Sequence, residues 1–216
     1  RLLINYSLSC LLYLMKKYIK ALFDIFKNYH FYSIPVLIYE TIFYLKYNGN
    51  FNKFKYINSN FLSDSIPCSY FFLKKIKKFI IKKNIKSTCD LGSGYGKIIY
   101  YLGALNNLKI DGVELEKEIY LESIKLENNN TKIFNEDILK FKFSNIEYNL
   151  LIMNDPLKKL ADLEKLILKI KKDYKKIYLI FINLNSKKLS LVYENLKVQD
   201  SLMISKSRNI LFCAIN

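Results

Sequence analysis

Apolar and polar positions follow two different rhythms along this chain, and the change falls near residue 84. Upstream, apolar residues recur at helical spacing. Tyr18, Leu22, Ile25, Phe26 and Tyr29 form a stripe within "KKYIKALFDIFKNY". All of Leu2 to Lys46 reads as helix interrupted around "HFYSIP", because Pro35 lacks an amide hydrogen and disfavours helix in the residue before it. "KYNGNFNKFKYINSNF" follows as a loop, with Gly49 flanked by asparagines. "SDSIPCSYFFLKKIKKFIIKK" then opens on turn and capping residues around Pro67 and runs into a helix. Its Phe72, Ile76, Phe79 and Ile80 share an apolar face, while Lys74, Lys75, Lys77, Lys78, Lys82 and Lys83 make the solvated side.

Downstream, short apolar runs alternate with helical stretches. Strands are predicted at Ser87 to Leu91, Lys109 to Glu114, Thr131 to Asn135, Tyr148 to Met153, Lys176 to Asn183, Lys197 to Ile204 and Asn209 to Ile215. Helices are predicted at 95 to 106, 116 to 127 and 159 to 173. Such alternation implies a parallel sheet covered on both faces. The last two strands are joined only by "SKSR", too short for a helical crossover, and so form an antiparallel pair. The expected fold is α/β: a Rossmann-like, doubly wound sheet of seven strands, mostly parallel with an antiparallel C-terminal hairpin, preceded by a helical extension. The division is residues 1–83 and 84–216.

Composition narrows the reading. With 216 residues, 51% hydrophobic and 25% charged, the chain has a globular balance. The net charge of +16 admits an anionic partner, nucleic acid included. All but Arg1 and Arg208 of the 35 basic residues are lysine, however, and arginine is the better bidentate reader of phosphate and guanine. Cys10, Cys68, Cys89 and Cys213 are widely spaced and His30 is the sole histidine, so no zinc pattern is present. Free thiols in a reducing, cytoplasmic setting are expected. The apolar run Leu2 to Met15 is too short to span a bilayer. Residues 2–29 are expected to pack as an amphipathic helix, with peripheral membrane contact as the alternative. Opening on Arg1 rather than Met reads as a processed or truncated chain.

The chemistry concentrates in "CDLGSGYGK", residues 89–97. Gly92, Gly94 and Gly96 stand at alternate positions between a predicted strand and a predicted helix, at the sheet end where ligands bind in doubly wound folds. Dinucleotide sites favour GxGxxG, whereas this chain has GxGxG with Asp90 two residues ahead of the first glycine. A carboxylate there repels a pyrophosphate and suits a cation, such as the ammonium of S-adenosylmethionine. Glu114 closes the second strand, where each oxygen of a carboxylate can accept from one ribose hydroxyl. Asp137 follows the third strand, placed either for an adenine amino group, with Ile138 against the ring, or as a helix N-cap. Asn154, Asp155 and Pro156 follow the fourth strand. Asp155 is a candidate acceptor of a proton or hydrogen bond from an amine nucleophile and Asn154 can present a carbonyl oxygen, or both simply cap a turn.

In this order, "DLGSGYG", "GVE", "NEDI" and "LLIMNDP" resemble the motifs of class I S-adenosylmethionine-dependent methyltransferases over residues 84 to 216. "DLGSGYGKII" with "GVELEKE" is also similar to seven-strand protein-lysine methyltransferases, DOT1-like and mitochondrial membrane-associated kinds among them. The resemblance implies S-adenosylmethionine as cofactor, held by Asp90, Gly92, Ser93, Gly94, Gly96, Glu114, Asp137, Ile138 and Asn154, with Asn154 and Asp155 at the reacting group. It implies methyl transfer to an amine, a protein lysine included. A small-molecule or nucleic-acid acceptor, and a cofactor-binding scaffold without catalysis, are the alternatives. "NDPLKK" lacks the second proline and the aromatic of nucleobase amino-methyltransferases. Residues 1–83 are expected to select the acceptor or act as a lid, and Tyr70 either covers the cofactor or packs in the core.

Overall fold

The computed structural model describes residues 33–46, 66–143 and 146–215, together with Lys27 and Lys55. The amphipathic stripe expected over residues 2–29, apart from Lys27, and the expected loop at 46–61, apart from Lys46 and Lys55, lie outside the described residues. Two helices precede the sheet: α1, Ser33–Lys46, and α2, Tyr70–Lys82. Pro35 lies in the first turn of α1, where amides have no intrahelical acceptor and its missing hydrogen costs nothing. Ser69 caps α2, its hydroxyl accepting from the Phe72 amide at 3.3 Å.

The sheet and its crossovers follow: β1 (Ser87–Leu91), α3 (Lys97–Gly103), β2 (Lys109–Val113), α4 (Lys117–Ser123), β3 (Ile133–Phe134), β4 (Leu150–Asn154), α5 (Leu160–Asp173), β5 (Ile177–Ile182), α6 (Ser186–Asn195), β6 (Lys197–Ser205) and β7 (Arg208–Ile215). The strand order is β3-β2-β1-β4-β5-β7-β6. All neighbours are parallel except β7, which runs antiparallel to both β5 and β6. The expected seven-strand mixed sheet with a reversed C-terminal hairpin is therefore present.

Several expectations shift at their edges, three of them most. The third strand shrinks to two residues because Asn128 and Thr131 exchange backbone hydrogen bonds at 3.1 and 3.2 Å, and the Lys132 amide turns to the Asp111 carboxylate at 2.9 Å. The helix expected from residue 95 starts at Lys97, since Gly92, Gly94 and Gly96 all have positive φ. The helix expected at 116–127 ends in a 3-10 turn, Ile124–Leu126. Helix α6 has no counterpart among the sequence expectations.

The core lies on both sides of the sheet, as near-continuous apolar strands require. Alternation along β4 sends Leu151 and Met153 to one face, against Leu163, Leu166 and Ile170 of α5 and Val192 of α6. Leu150 and Ile152 face the other side, with Phe72, Leu73, Ile76 and Ile80 of α2 and Ile99 and Leu102 of α3. Helix α2 thus belongs to the same core as the strands that follow it. Cys68, Cys89 and Cys213 are buried free thiols, and burial raises the pKa of each. Among the described residues no helix is long and apolar enough to cross a membrane.

Candidate active site

Strand order reverses between β1 and β4: the chain leaves β1 toward β2 on one side and later returns to β4 on the other. The carboxyl ends of these two strands define the crevice where open α/β sheets bind ligands. The turn after β1 is lashed to the end of β2, with the Gly92 and Ser93 amides donating to the Val113 carbonyl at 2.9 and 3.0 Å. Gly92 has φ 79° and a Cβ there would stand 2.5 Å from Pro156 Cβ; at Gly96, φ 80°, it would stand 2.4 Å from Leu126 Cδ1. At these two glycines the chain's own side chains come against the backbone.

Glu114, directly after β2, reaches back to the turn. Its Oε2 accepts the Gly94 amide and its Oε1 the Glu116 amide, both at 2.8 Å. Burial raises its pKa, opposed by those amides. Asn135 fixes the backbone beside it, donating to the carbonyls of Glu114 and Leu115 at 2.9 and 3.0 Å. Asp90 is the opposite case. It is 1% exposed, and neither carboxylate oxygen has a hydrogen-bond partner among the described residues. Burial, with a further push from the Glu114 charge, raises its pKa to about 8. Ser93 Oγ is likewise buried and unpartnered. The turn therefore presents acceptors in want of donors, which suits a cation bearing hydroxyl groups and opposes a phosphate.

The other expected residues are tied into the fold. Asp137 caps its own turn, Oδ1 accepting the Leu139 amide at 2.9 Å, and Ile138 is buried in the core cluster with Phe141. Asn154 ends β4; its amide donates to the Ile66 carbonyl at 2.8 Å and accepts from Asn183 Nδ2 at 2.8 Å. Asp155, at φ 44°, is paired with the buried Lys188, which also donates to the Leu157 carbonyl. Burial raises the Asp155 pKa and Lys188 opposes the rise. Tyr70 is 1% exposed and stacks with Phe43 at 5.1 Å, so its role is packing.

Sequence reasoning passed over Lys97, Glu40, Asn183 and Lys188. Lys97 is buried, 3.6 Å from Glu40 Oε2 and 3.8 Å from the centre of the Tyr70 ring. Its signal was its place directly after Gly96. Lys188 sits three residues past Asn185, whose side chain caps α6 by accepting the Lys188 amide at 3.1 Å.

No protein-family profile matches the chain, and no curated protein matches it in sequence. Solved structures do. Magnesium protoporphyrin IX methyltransferase (ChlM) from Synechocystis PCC 6803 with bound SAM superposes with a TM-score of 0.54 at 13% identity, over 68% of this chain and 79% of that one. The methyltransferase domain of bacterial CtHen1 gives 0.53 at 12% identity, over 67% and 97%. The StiE O-MT gives 0.52 at 16% identity, over 68% and 73%. At these identities the likeness is one of architecture, and in architecture this chain is folded as the S-adenosylmethionine-dependent methyltransferases are.

Proposed function

We propose that the chain binds S-adenosylmethionine at the ends of β1 and β2 and transfers its methyl group to an acceptor amine. The observation that carries the reading is Asp90, a buried carboxylate without a donor, beside a turn whose glycines and Glu114 are already set in place. Asp90 would hold the ammonium of the cofactor, Ser93 would contribute its hydroxyl, and Glu114, with a lone pair to spare on each oxygen, would take the ribose hydroxyls. Asp137 would offer its second carboxylate oxygen to the adenine amino group, and Ile138 a wall beneath the ring. When bound, the cofactor supplies a methyl group already activated on a sulfonium, so alignment rather than an acid-base triad carries the rate.

An amine acceptor, a protein lysine included, rests on the resemblance of "DLGSGYGKII" and "GVELEKE" to protein-lysine methyltransferases. Small molecules follow as the next class, and nucleic acid on the net charge of +16. A cytoplasmic location accords with the buried free thiols. For residues 2–29, packing on the domain is the first reading and peripheral membrane contact the alternative.

A second reading, a cofactor-binding scaffold without catalysis, is favoured by the engagement of Asn154 and Asp155 with Ile66, Asn183 and Lys188. Calorimetric titration with S-adenosylmethionine and nicotinamide dinucleotides tests the cofactor. The former should bind, the latter should not, and Asp90→Ala and Glu114→Ala should each weaken binding about tenfold or more. Unchanged affinity in both variants would reject the site. Transfer from methyl-labelled donor into extract fractionated as protein, nucleic acid and small molecules names the acceptor class; no label in any fraction selects the scaffold.

A further inference from the structure

Helix α1 is apolar on both of its sides, whereas a helix on the surface of a globular domain keeps one side polar. Its inner side, Val36, Tyr39 and Phe43, packs into the core against α2 and α3. Its outer side carries Ile34, Ile38, Ile42 and Leu45, each 51–69% exposed. Steps of four, four and three residues set them in one stripe about 17 Å long. The only carboxylate of α1, Glu40, is turned away from the stripe, toward Lys97 at 3.6 Å and the Tyr70 amide.

Helix α2 runs beside α1 and supplies charge of one sign. Lys74, Lys75, Lys77, Lys78 and Lys82 lie along one broad side of it, and it has no acidic residue. Lys75, Lys78 and Lys82 are exposed, with exposed Ile81 among them. Among the described residues none of the five lysines pairs with a carboxylate. Lys74 joins the two surfaces: its Nζ lies 4.2 Å from the centre of the Tyr39 ring, and Tyr39 neighbours Ile42 three residues on.

An uncharged apolar stripe bordered by unopposed lysines selects its occupant. A second copy of the chain, meeting stripe to stripe, would gather the lysines of both copies around one interface with no carboxylate to offset them. The segment that precedes α1 is no better complement, with Arg1, Lys16, Lys17, Lys20 and Lys27 against Asp24 alone. Nucleic acid would satisfy the lysines but set four aliphatic side chains against phosphates. A sheet of anionic lipid satisfies both parts, because apolar side chains enter the acyl boundary while lysines stay with the headgroup phosphates. We propose that α1 and α2 form a docking face for an anionic phospholipid membrane, with Ile34, Ile38, Ile42 and Leu45 inserted and the α2 lysines on the lipid phosphates. Both helices are built into the core, so this face is distinct from any contact by residues 2–29 and independent of what the glycine turn binds.

Co-sedimentation of the full chain with lipid vesicles tests the proposal. Vesicles of phosphatidylcholine mixed with phosphatidylserine should bind the protein, and phosphatidylcholine alone should bind it far more weakly. Ile38→Gln combined with Ile42→Gln keeps good helix formers at two positions that are more than half exposed. The urea midpoint should therefore hold while affinity for the mixed vesicles falls about tenfold or more. Lys75→Gln, Lys78→Gln and Lys82→Gln should each weaken binding to the mixed vesicles about fivefold and leave binding to phosphatidylcholine unchanged. No binding to the mixed vesicles, or binding untouched by the isoleucine pair, would overturn the assignment. A duplex DNA probe that binds more tightly than the vesicles and responds to the lysine changes alone would give the face to nucleic acid instead. A dimer in sedimentation velocity that the isoleucine pair disperses would give it to a second copy.

Discussion

Asp90→Asn exchanges a buried carboxyl without partners for a neutral side chain of nearly the same shape, and its effect on stability should depend on pH in a calculable way. The folded-state pKa is raised from 3.8 to about 8, by burial first and the Glu114 charge second. Between those values the native state keeps a proton that the unfolded chain releases, so stability is greatest at low pH, falls as pH rises through the window and levels off above about 8. A shift of about 4 units at about 1.36 kcal/mol each makes the total fall about 5 kcal/mol. Glu40, Glu114 and Asp155 also have raised pKa values and slope the same way. They are shared by both proteins, so the difference between variant and unaltered protein isolates Asp90. Urea unfolding from about pH 4 to about pH 8 should show the variant gaining about 5 kcal/mol relative to the unaltered protein. S-adenosylmethionine at one concentration should stabilise the unaltered protein near pH 8 by about 1.4 kcal/mol more than the variant, the equivalent of tenfold tighter binding, because a bound ammonium favours the ionised carboxylate. Parallel loss of stability in the two proteins would show that Asp90 is not a desolvated acid, and the case for a cationic ligand would fall with it.

Gly92→Ala combines a φ of 79° with a Cβ 2.5 Å from Pro156 Cβ and should cost about 3 kcal/mol, read as a lower urea midpoint. Lys188→Met strands the Asp155 carboxylate, which is 27% exposed, and should cost about 2 kcal/mol; adding Asp155→Asn should recover most of that in a double-mutant cycle. Tyr148→Phe removes the hydroxyl that donates to fully buried Asp111 at 2.8 Å and should cost about 2 kcal/mol by the same measurement.

The sheet was legible because a parallel strand buried on both faces is a short unbroken apolar run, and "LLIM" and "IYLIFI" can be little else between turns. The hairpin was legible for a different reason: "SKSR" is too short to cross the sheet. Helix α6 escaped notice because its apolar positions are few and one of its buried residues, Lys188, is charged. Only its role opposite Asp155, distant in sequence, accounts for that burial. Asp90, the glycines and Glu114 were visible since the motif is contiguous and the strand ends are countable. The engagements of Asn154 and Asp155 were not, because Ile66, Asn183 and Lys188 meet them only after the sheet has closed. For Gly92 and Gly96 the motif predicts a ligand against the main chain, whereas the atoms that approach there are those of Pro156 and Leu126.

The insertion of β7 between β5 and β6 has a bearing on biosynthesis. Strand β5 offers its free edge to a partner that is translated after both α6 and β6. Until residues 208–215 have left the ribosome, the row of amides and carbonyls along Ile177–Ile182 has no native neighbour on that side, and the side chains Ile210, Leu211, Phe212 and Cys213 are missing from both layers. The nascent protein thus carries an open, strongly apolar strand edge until β7 emerges, the kind of surface that chaperones cover and that chains stalled before that point expose to aggregation.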